Sequence, residues 1–405
     1  MLASLLVLQA ALALHLPLAE AVTTLPLSPI SGHSDAYYKG APDAGRARVA
    51  FQKERAARLA GLAEGPTTIP ATNLAYVQYT ASIGVGSPPT YYNIVVDTGS
   101  SNTFVGTGKT YVKTSTSVPT GQEVNVTYGT GFFSGYEYLD QVTIAPDIVL
   151  KNQSIGDALE YADFEGVDGI IGVGPTDLTY GTLYPDVNAT IPTVMDNALQ
   201  QGLIPTEILG VSFAPAIEYN DTNGALTFGG VDESLYEGSI TYTPVTTTYP
   251  ASYYWGINVT GATYGKTTVI PASYAGIVDT GTTLIYIADN WFQTYLDSIP
   301  GAYYDGNNTG LIVIPFESVP FMKPFTFYVA DEPFILDVEA QLLPVWQNTA
   351  WGAEPNLQYG YIGPIGAPSG EGLDFIIGQK FMERFYAVFD TSNSRVGFAY
   401  TEHTY

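Results

Sequence analysis

The chain has 405 residues, more than one ordinary hydrophobic core holds, so two domains or lobes are expected. Its formal net charge of −25 excludes the basic stripe of a nucleic-acid binder. It contains no cysteine, and its three histidines (His15, His33, His403) lie near the chain ends, which argues against thiol chemistry, disulfides, a serine–histidine nucleophile and a histidine-bound metal or other metal cofactor. Carboxylates are what remains for acid–base work.

Residues 1–21, "MLASLLVLQAALALHLPLAEA", combine an apolar core with a small-residue end and read as a secretory signal, although a basic start is missing. No later stretch is apolar enough for a membrane span, so a secreted, extracellular protein without membrane attachment is expected. Asn125, Asn152, Asn188, Asn220, Asn258 and Asn307 each open an Asn-x-Ser/Thr triplet and are candidate glycosylation sites.

Residues 22–66 differ in charge from the rest of the chain. Six of the 14 Lys and Arg lie between Lys39 and Arg58, whereas beyond residue 66 there are eight basic residues and 34 acidic ones. A basic segment ahead of an acidic body reads as a propeptide held partly by charge. Its stretch "RARVAFQKERAARLAGLAEG" suits a short helix. Lys53, Arg55 and Arg58 are expected over an acidic cleft, with Lys53 pairing with its carboxylates, and cleavage is expected between about residues 62 and 72.

From about residue 70 the pattern is β-rich. "NLAYVQYTASIGVGSPPTYYNIVVDTG" reads as strand, turn, strand, and "EVNVTYGTGFFSGYEYLDQVTI" as a hairpin bending at Tyr128-Gly129-Thr130-Gly131. Two helices are expected, at 190–204 and at 288–299 with Asp289 as cap. "GTGKT" (106–110) lacks the first glycine of a phosphate loop, its position being Thr103, and Lys109 reads as a solvated surface residue. "GVGSPP" (84–89) lacks the third glycine of a dinucleotide fingerprint and reads as a turn.

An internal repeat governs the functional reading. "IVVDTGSS" around Asp97 returns 182 residues later as "GIVDTGTT" around Asp279. Each copy is followed by Asp-x-Ile-Ile-Gly, ending at Gly172 and at Gly378. Alone, each Asp-Thr-Gly is a strand-end turn with Asp bonding the following amides. As a pair they suggest two facing lobes with two carboxylates about 3 Å apart, which share a proton because both cannot ionise easily. The ionised one can take a proton from a water and the protonated one can donate to a substrate carbonyl. Gly99 and Gly281 let the backbone approach, Ser100 and Thr282 can bond the outer carboxylate oxygens, and Thr98 and Thr280 are placed to tie the loops together.

These stretches, with "VTYGTG", "DGIIGVGPTDLTYGTL", "TIPTV", "YWGIN", "GEGLDFIIG" and "ERFYAVFDTSNSRVGFA", resemble the pepsin-like aspartic endopeptidases from about residue 70 to 400. The resemblance implies a mostly all-β, bilobal fold with a few short helices. It divides the chain into an N-terminal lobe (67–245) with Asp97 and a flap, and a C-terminal lobe (246–405) with Asp279. It implies a monomer acting on polypeptide substrates, with Tyr128, Gly129 and Thr130 at the flap tip. Phe104 stands where the family usually has a Trp whose N–H bonds the flap Tyr; Phe cannot donate, and a looser flap is expected. The missing disulfides are compatible with the family's fungal branch. Phe104, Phe132, Phe133 and Tyr128 suggest an aromatic-lined cleft favouring large apolar side chains, unless some face the core. The competing reading, a non-catalytic binding protein on the same fold, predicts decay of one Asp-Thr-Gly or of Tyr128, and neither has decayed.

Overall fold

A computed structural model describes residues 22–29, 36–62, 79–128, 131–215, 224–271 and 273–405. The signal stretch, residues 63–72 of the expected cleavage region, Gly129, Thr130 and Asn220 lie outside the described residues.

The basic N-terminal segment contributes strand β1 (Thr23–Pro29) and helix α1 (Ala41–Leu59). Helix α1 starts earlier than the Ala/Arg-rich stretch suggests. Pro42 suits a first turn, where a backbone N–H has no intrahelical partner, and Gly40 at φ 96° turns the chain just before it.

Strands β2 (Tyr79–Val85) and β3 (Thr90–Asp97) form the first hairpin. Strand β4 (Phe104–Val105) follows, then the long antiparallel β5 (Val118–Tyr128), β6 (Gly131–Ala145) and β7 (Ile148–Ala162). The expected hairpin is β5–β6. Strand β8 (Gly169–Gly172) runs parallel to β3, with Gly172 opposite Asp97, and antiparallel to β4.

The second half repeats this unit. Strand Tyr274–Val278, ending beside Asp279, runs parallel to Phe375–Ile377, which pairs antiparallel with Ile285–Ile287. The two Ile-Ile-Gly sequences are therefore the strands that flank the two aspartate strands. Their glycines are needed because the chain after each aspartate crosses over them. A Cβ on Gly172 would lie 2.4 Å from the Ser101 carbonyl carbon, and one on Gly378 would lie 2.1 Å from the Leu284 carbonyl oxygen.

A 14-stranded sheet joins strands of both halves. Within it β1 lies between Gly224–Phe228 and β2, so the N-terminal segment is part of the main sheet. The remaining C-terminal strands form three smaller sheets.

Helix α2 (Val194–Gln200) opens on a capping box in which Thr193 and Asp196 bond reciprocally. It ends before the predicted residue 204, with Gly202 at φ 67° leading the chain away. Helix α3 (Asp289–Asp297) has Ala288, not Asp289, at its cap position; the Asp289 carboxylate instead accepts from the Gly366 N–H at 2.8 Å. Among the described sequons, Asn125, Asn152, Asn188 and Asn307 are exposed, while Asn258 is half-buried and its side-chain oxygen accepts from Thr246 Oγ1.

Candidate active site

Two copies of one turn meet at the centre of the molecule. The Thr98 N–H donates to Thr280 Oγ1 at 3.0 Å and the Thr280 N–H to Thr98 Oγ1 at 2.9 Å. The same hydroxyls donate across the pseudo-dyad, Thr280 Oγ1 to the Val96 carbonyl and Thr98 Oγ1 to the Val278 carbonyl. Four bonds thus fix the loops face to face, and both threonines are fully buried.

The carboxylates are held alike. Asp97 accepts from the Gly99 N–H at 2.9 Å and from Ser100 Oγ at 2.5 Å; Asp279 accepts from the Gly281 N–H at 2.9 Å and from Thr282 Oγ1 at 2.8 Å. The glycines permit the approach: a Cβ on Gly99 would lie 2.7 Å from Asp279 Oδ1, and one on Gly281 would lie 2.5 Å from Asp97 Oδ1. Both aspartates are 0% exposed, which makes the question of their counter-charge decisive.

That counter-charge is Arg48 of α1. Its Nη2 donates to Asp97 Oδ1 at 2.5 Å and to Asp279 Oδ1 at 3.0 Å, and its Nε donates to Asp279 Oδ2 at 2.7 Å. Gln52, one turn on, adds a bond from Nε2 to Asp279 Oδ2 at 2.9 Å. Burial raises the Asp97 pKa above its ordinary value; Arg48 opposes this and Asp279 adds to it. Burial acts on Asp279 in the same direction, but the Arg48 charge and the bonds from Arg48, Thr282 and Gln52 outweigh it and leave Asp279 depressed. Burial would lower the Arg48 pKa, yet the two carboxylates hold it above its usual value. Arg48 thus bridges both carboxylates, with burial biasing Asp97 towards its protonated form and the Arg48 contacts biasing Asp279 towards its ionised one.

The sequence expectation that Lys53 reaches the carboxylates is therefore corrected. Lys53 bonds Glu371 at 2.6 Å, Arg55 bonds the Leu178 and Tyr180 carbonyls, and Arg58 pairs with Glu54 within the helix. The buried residues of α1 form a stripe through Ala44, Arg48, Gln52 and Ala56 at intervals of four. Lys53, Arg55 and Arg58 fall beside that stripe. The spacing of Ala44 and Ala56 around Arg48 is the signal that could have found it.

The β5–β6 hairpin places Tyr128 1% exposed, with its ring 5.8 Å from that of Phe104. The Tyr128 hydroxyl has no hydrogen-bond partner among the described residues. Phe104 itself is stacked on Phe133 at 3.9 Å within a cluster that also holds Phe164 and Ile170, so both phenylalanines face the N-lobe core. Phe132 points outward and is 38% exposed. Of the four aromatics expected to line the cleft, three form this cluster and one does not join it. Lys109 lies at the surface, donating to the Tyr91 carbonyl. Among the described residues no three His, Cys, Asp or Glu side chains gather as a metal site, and no helix is long and apolar enough to cross a membrane.

The family model for eukaryotic aspartyl protease matches residues 78–401. The chain is a eukaryotic aspartyl protease. This protease is 52% identical to polyporopepsin of Irpex lacteus over 337 residues, covering 83% of the chain and 98% of that relative. It is 30% identical to pepsin A of Suncus murinus, with 82% of each chain covered. Its structure matches the crystal structure of the Irpex lacteus aspartic proteinase with a TM-score of 0.80 and 44% identity, over 95% of the protease and 98% of that chain. The protease therefore has the pepsin-like bilobal fold and is an aspartic endopeptidase acting on polypeptides.

Proposed function

We propose that the protein is a secreted zymogen whose mature form hydrolyses peptide bonds at acid pH through Asp97 and Asp279. The observation that carries this reading is the reciprocal Thr98–Thr280 bonding, which points two equivalent carboxylates at one spot. With the spot open, the ionised carboxylate takes a proton from a water while that water attacks the scissile carbonyl carbon. The other carboxyl donates its proton to the carbonyl oxygen, giving a neutral gem-diol. Return of a proton to the amide nitrogen then lets the C–N bond break. Tyr128 and the neighbouring flap residues Gly129 and Thr130 close over the bound peptide. Large apolar side chains beside the scissile bond are preferred in this reading, with Tyr128 rather than the core-facing Phe104 and Phe133 as their aromatic contact.

Residues 1–21 are the signal and 22–66 the propeptide in this reading, followed by lobes 67–245 and 246–405. The guanidinium of Arg48 occupies the place of the water and α1 fills the cleft, so the full chain is silent. The sign of the pH response follows from Asp279. Its pKa is depressed by contact with the propeptide, so the contact is complete above the ordinary carboxylate range and is lost as pH falls through the depressed value. Asp97, raised by burial, takes up its proton at higher pH than Asp279 and does not oppose release. Arg48 stays charged throughout.

The test is to hold the full-length protein at neutral pH and then at about pH 3 to 4, near the reference carboxylate pKa values, following its mass and its hydrolysis of an apolar peptide. Activity and loss of the N-terminal segment should appear together only in acid. A statine-type transition-state analogue should block the activity, and EDTA should not. Full activity of uncleaved protein at neutral pH contradicts the zymogen; EDTA-sensitive hydrolysis contradicts the carboxylate mechanism.

A further inference from the structure

Ten residues before Arg48, the N-terminal segment is anchored a second time. Tyr38 is 5% exposed, and its ring is stacked on Trp351 with centroids 5.0 Å apart and planes at 26°. Tyr361 lies behind Trp351 at 6.1 Å. The backbone docks as well: the Ala36 N–H donates to the Thr349 carbonyl at 2.8 Å and the Tyr38 N–H to the Ala350 carbonyl at 2.6 Å. The turn that leads into α1 is thus tied by two backbone N–H groups to consecutive carbonyls of the short helix Val345–Trp351. The Trp351 indole N–H is buried and has no hydrogen-bond partner among the described residues. Trp351, Tyr361 and the carbonyls belong to the body that remains when the propeptide leaves; Tyr38 does not.

We infer that the Trp351 pocket is a distal substrate subsite of the mature enzyme, taking an aromatic side chain of the bound polypeptide. This rests on the proteolytic reading above. Tyr38 marks the site because the same segment runs from it directly into the cleft. Gly40 turns the chain, and α1 then carries it from Ala41 to Arg48 at the two aspartates. At about 1.5 Å per helical residue plus the turn, the pocket lies about 15 Å from the carboxylates. An extended peptide covers that span in about four or five residues. A flat stacking surface and an indole N–H without a partner among the described residues select an aromatic side chain over an aliphatic one. The pocket therefore discriminates between long polypeptides and leaves short peptides unaffected.

The experiment uses acid-activated enzyme and two sets of synthetic peptides sharing one apolar core. The first is a hexapeptide too short to reach the pocket. The second is a set of dodecapeptides carrying Tyr, Phe, Leu or Ala at the fourth and fifth positions on either side of the scissile bond. Tyr and Phe at one of these positions should lower KM about tenfold relative to Ala, the equivalent of about 1.4 kcal/mol, with Leu in between and kcat little changed. In Trp351→Ala the Tyr-to-Ala ratio of kcat/KM should fall close to one. The peptide scan on the unsubstituted enzyme decides the matter even if that variant does not fold. Equal KM values across the dodecapeptides, as when the mature chain's own N-terminus fills the pocket, overturn the inference, as does a preference that persists in Trp351→Ala. An uncleaved hexapeptide instead removes the proteolytic reading on which the inference depends.

Discussion

Glu137 offers a test of how burial tunes a carboxyl group in this protease. It lies on β6, 2% exposed, with Ser154 Oγ donating to its Oε1 at 2.6 Å and no partner for its Oε2 among the described residues. Of the neighbouring titratable groups, the buried Tyr128 hydroxyl is close enough to feel its charge. Burial pushes the carboxyl up to about 7 from an ordinary value of 4.5, with the Ser154 bond opposing. Because the folded value is raised, the associated stability is complete below about pH 4.5 and is lost as pH rises towards 7. At 1.36 kcal/mol per unit, the loss by neutral pH is about 3 kcal/mol. Glu137→Gln never ionises and keeps an acceptor for Ser154, but it buries an amide with unmet donors, a penalty of about 1–3 kcal/mol at every pH. The substitution should therefore lower the melting temperature at pH 4 and lower it far less, or raise it, at pH 8. The relative change is about 6–12 °C for a lobe of this size. Near-UV circular dichroism melts in an Asp279→Asn background avoid self-cleavage in acid. Parallel melting-temperature curves for the two proteins from pH 4 to 8 would refute the reasoning.

Other perturbations address the N-terminal segment and the flap. Arg48→Ala strips a buried pair of its counter-charge, worth about 3–5 kcal/mol, and full-length protein should hydrolyse peptide at pH 6 without an acid step. Arg48→Lys keeps a point charge but loses the fork across both carboxylates and should lie between. Gly45→Ala places a Cβ 2.1 Å from the Tyr286 hydroxyl, so α1 should seat poorly; activation at pH 4 should be at least several-fold faster than in the unsubstituted protein, and an unchanged rate removes the packing argument. Phe104→Trp offers a donor to the Tyr128 hydroxyl, which has no hydrogen-bond partner among the described residues, worth about 1 kcal/mol, inside a stacked cluster where added volume costs about 1–3 kcal/mol. Melting temperature should fall while KM for an apolar peptide falls slightly, and a KM that does not change when Tyr128→Phe is added to Phe104→Trp shows that no such contact forms.

Much of the central geometry was legible because it is local and repeated. Asp-Thr-Gly at the end of an apolar strand dictates the turn, and the second copy dictates that the turns face each other. The reciprocal threonine bonds and the outer hydroxyls on Ser100 and Thr282 follow from that symmetry. The role of the two Ile-Ile-Gly sequences as neighbouring strands was visible only as a repeat, since parallel pairing at a separation of 75 residues leaves no local pattern. Arg48 is not legible from charge density, which is highest around Lys53, Arg55 and Arg58, because the helix face decides which base is buried. The inclusion of β1 in the main sheet was likewise hidden, because "TTLPLSP" contains two prolines and pairs with strands far along the chain. Phe132 and Phe133 are adjacent and so point to opposite faces of β6, a consequence of strand alternation that composition alone does not reveal.

The central claim is that Asp97 and Asp279 act as one unit on one water, and isosteric replacement tests it most directly. Asp97→Asn and Asp279→Asn should each keep the Thr98–Thr280 bonds and the fold. Once freed of the N-terminal segment by an added protease, each should hydrolyse an apolar peptide at pH 3 to 4 at less than about 1% of the normal kcat, because either change removes the shared proton. A folded single variant retaining more than a few per cent of kcat would contradict the claim.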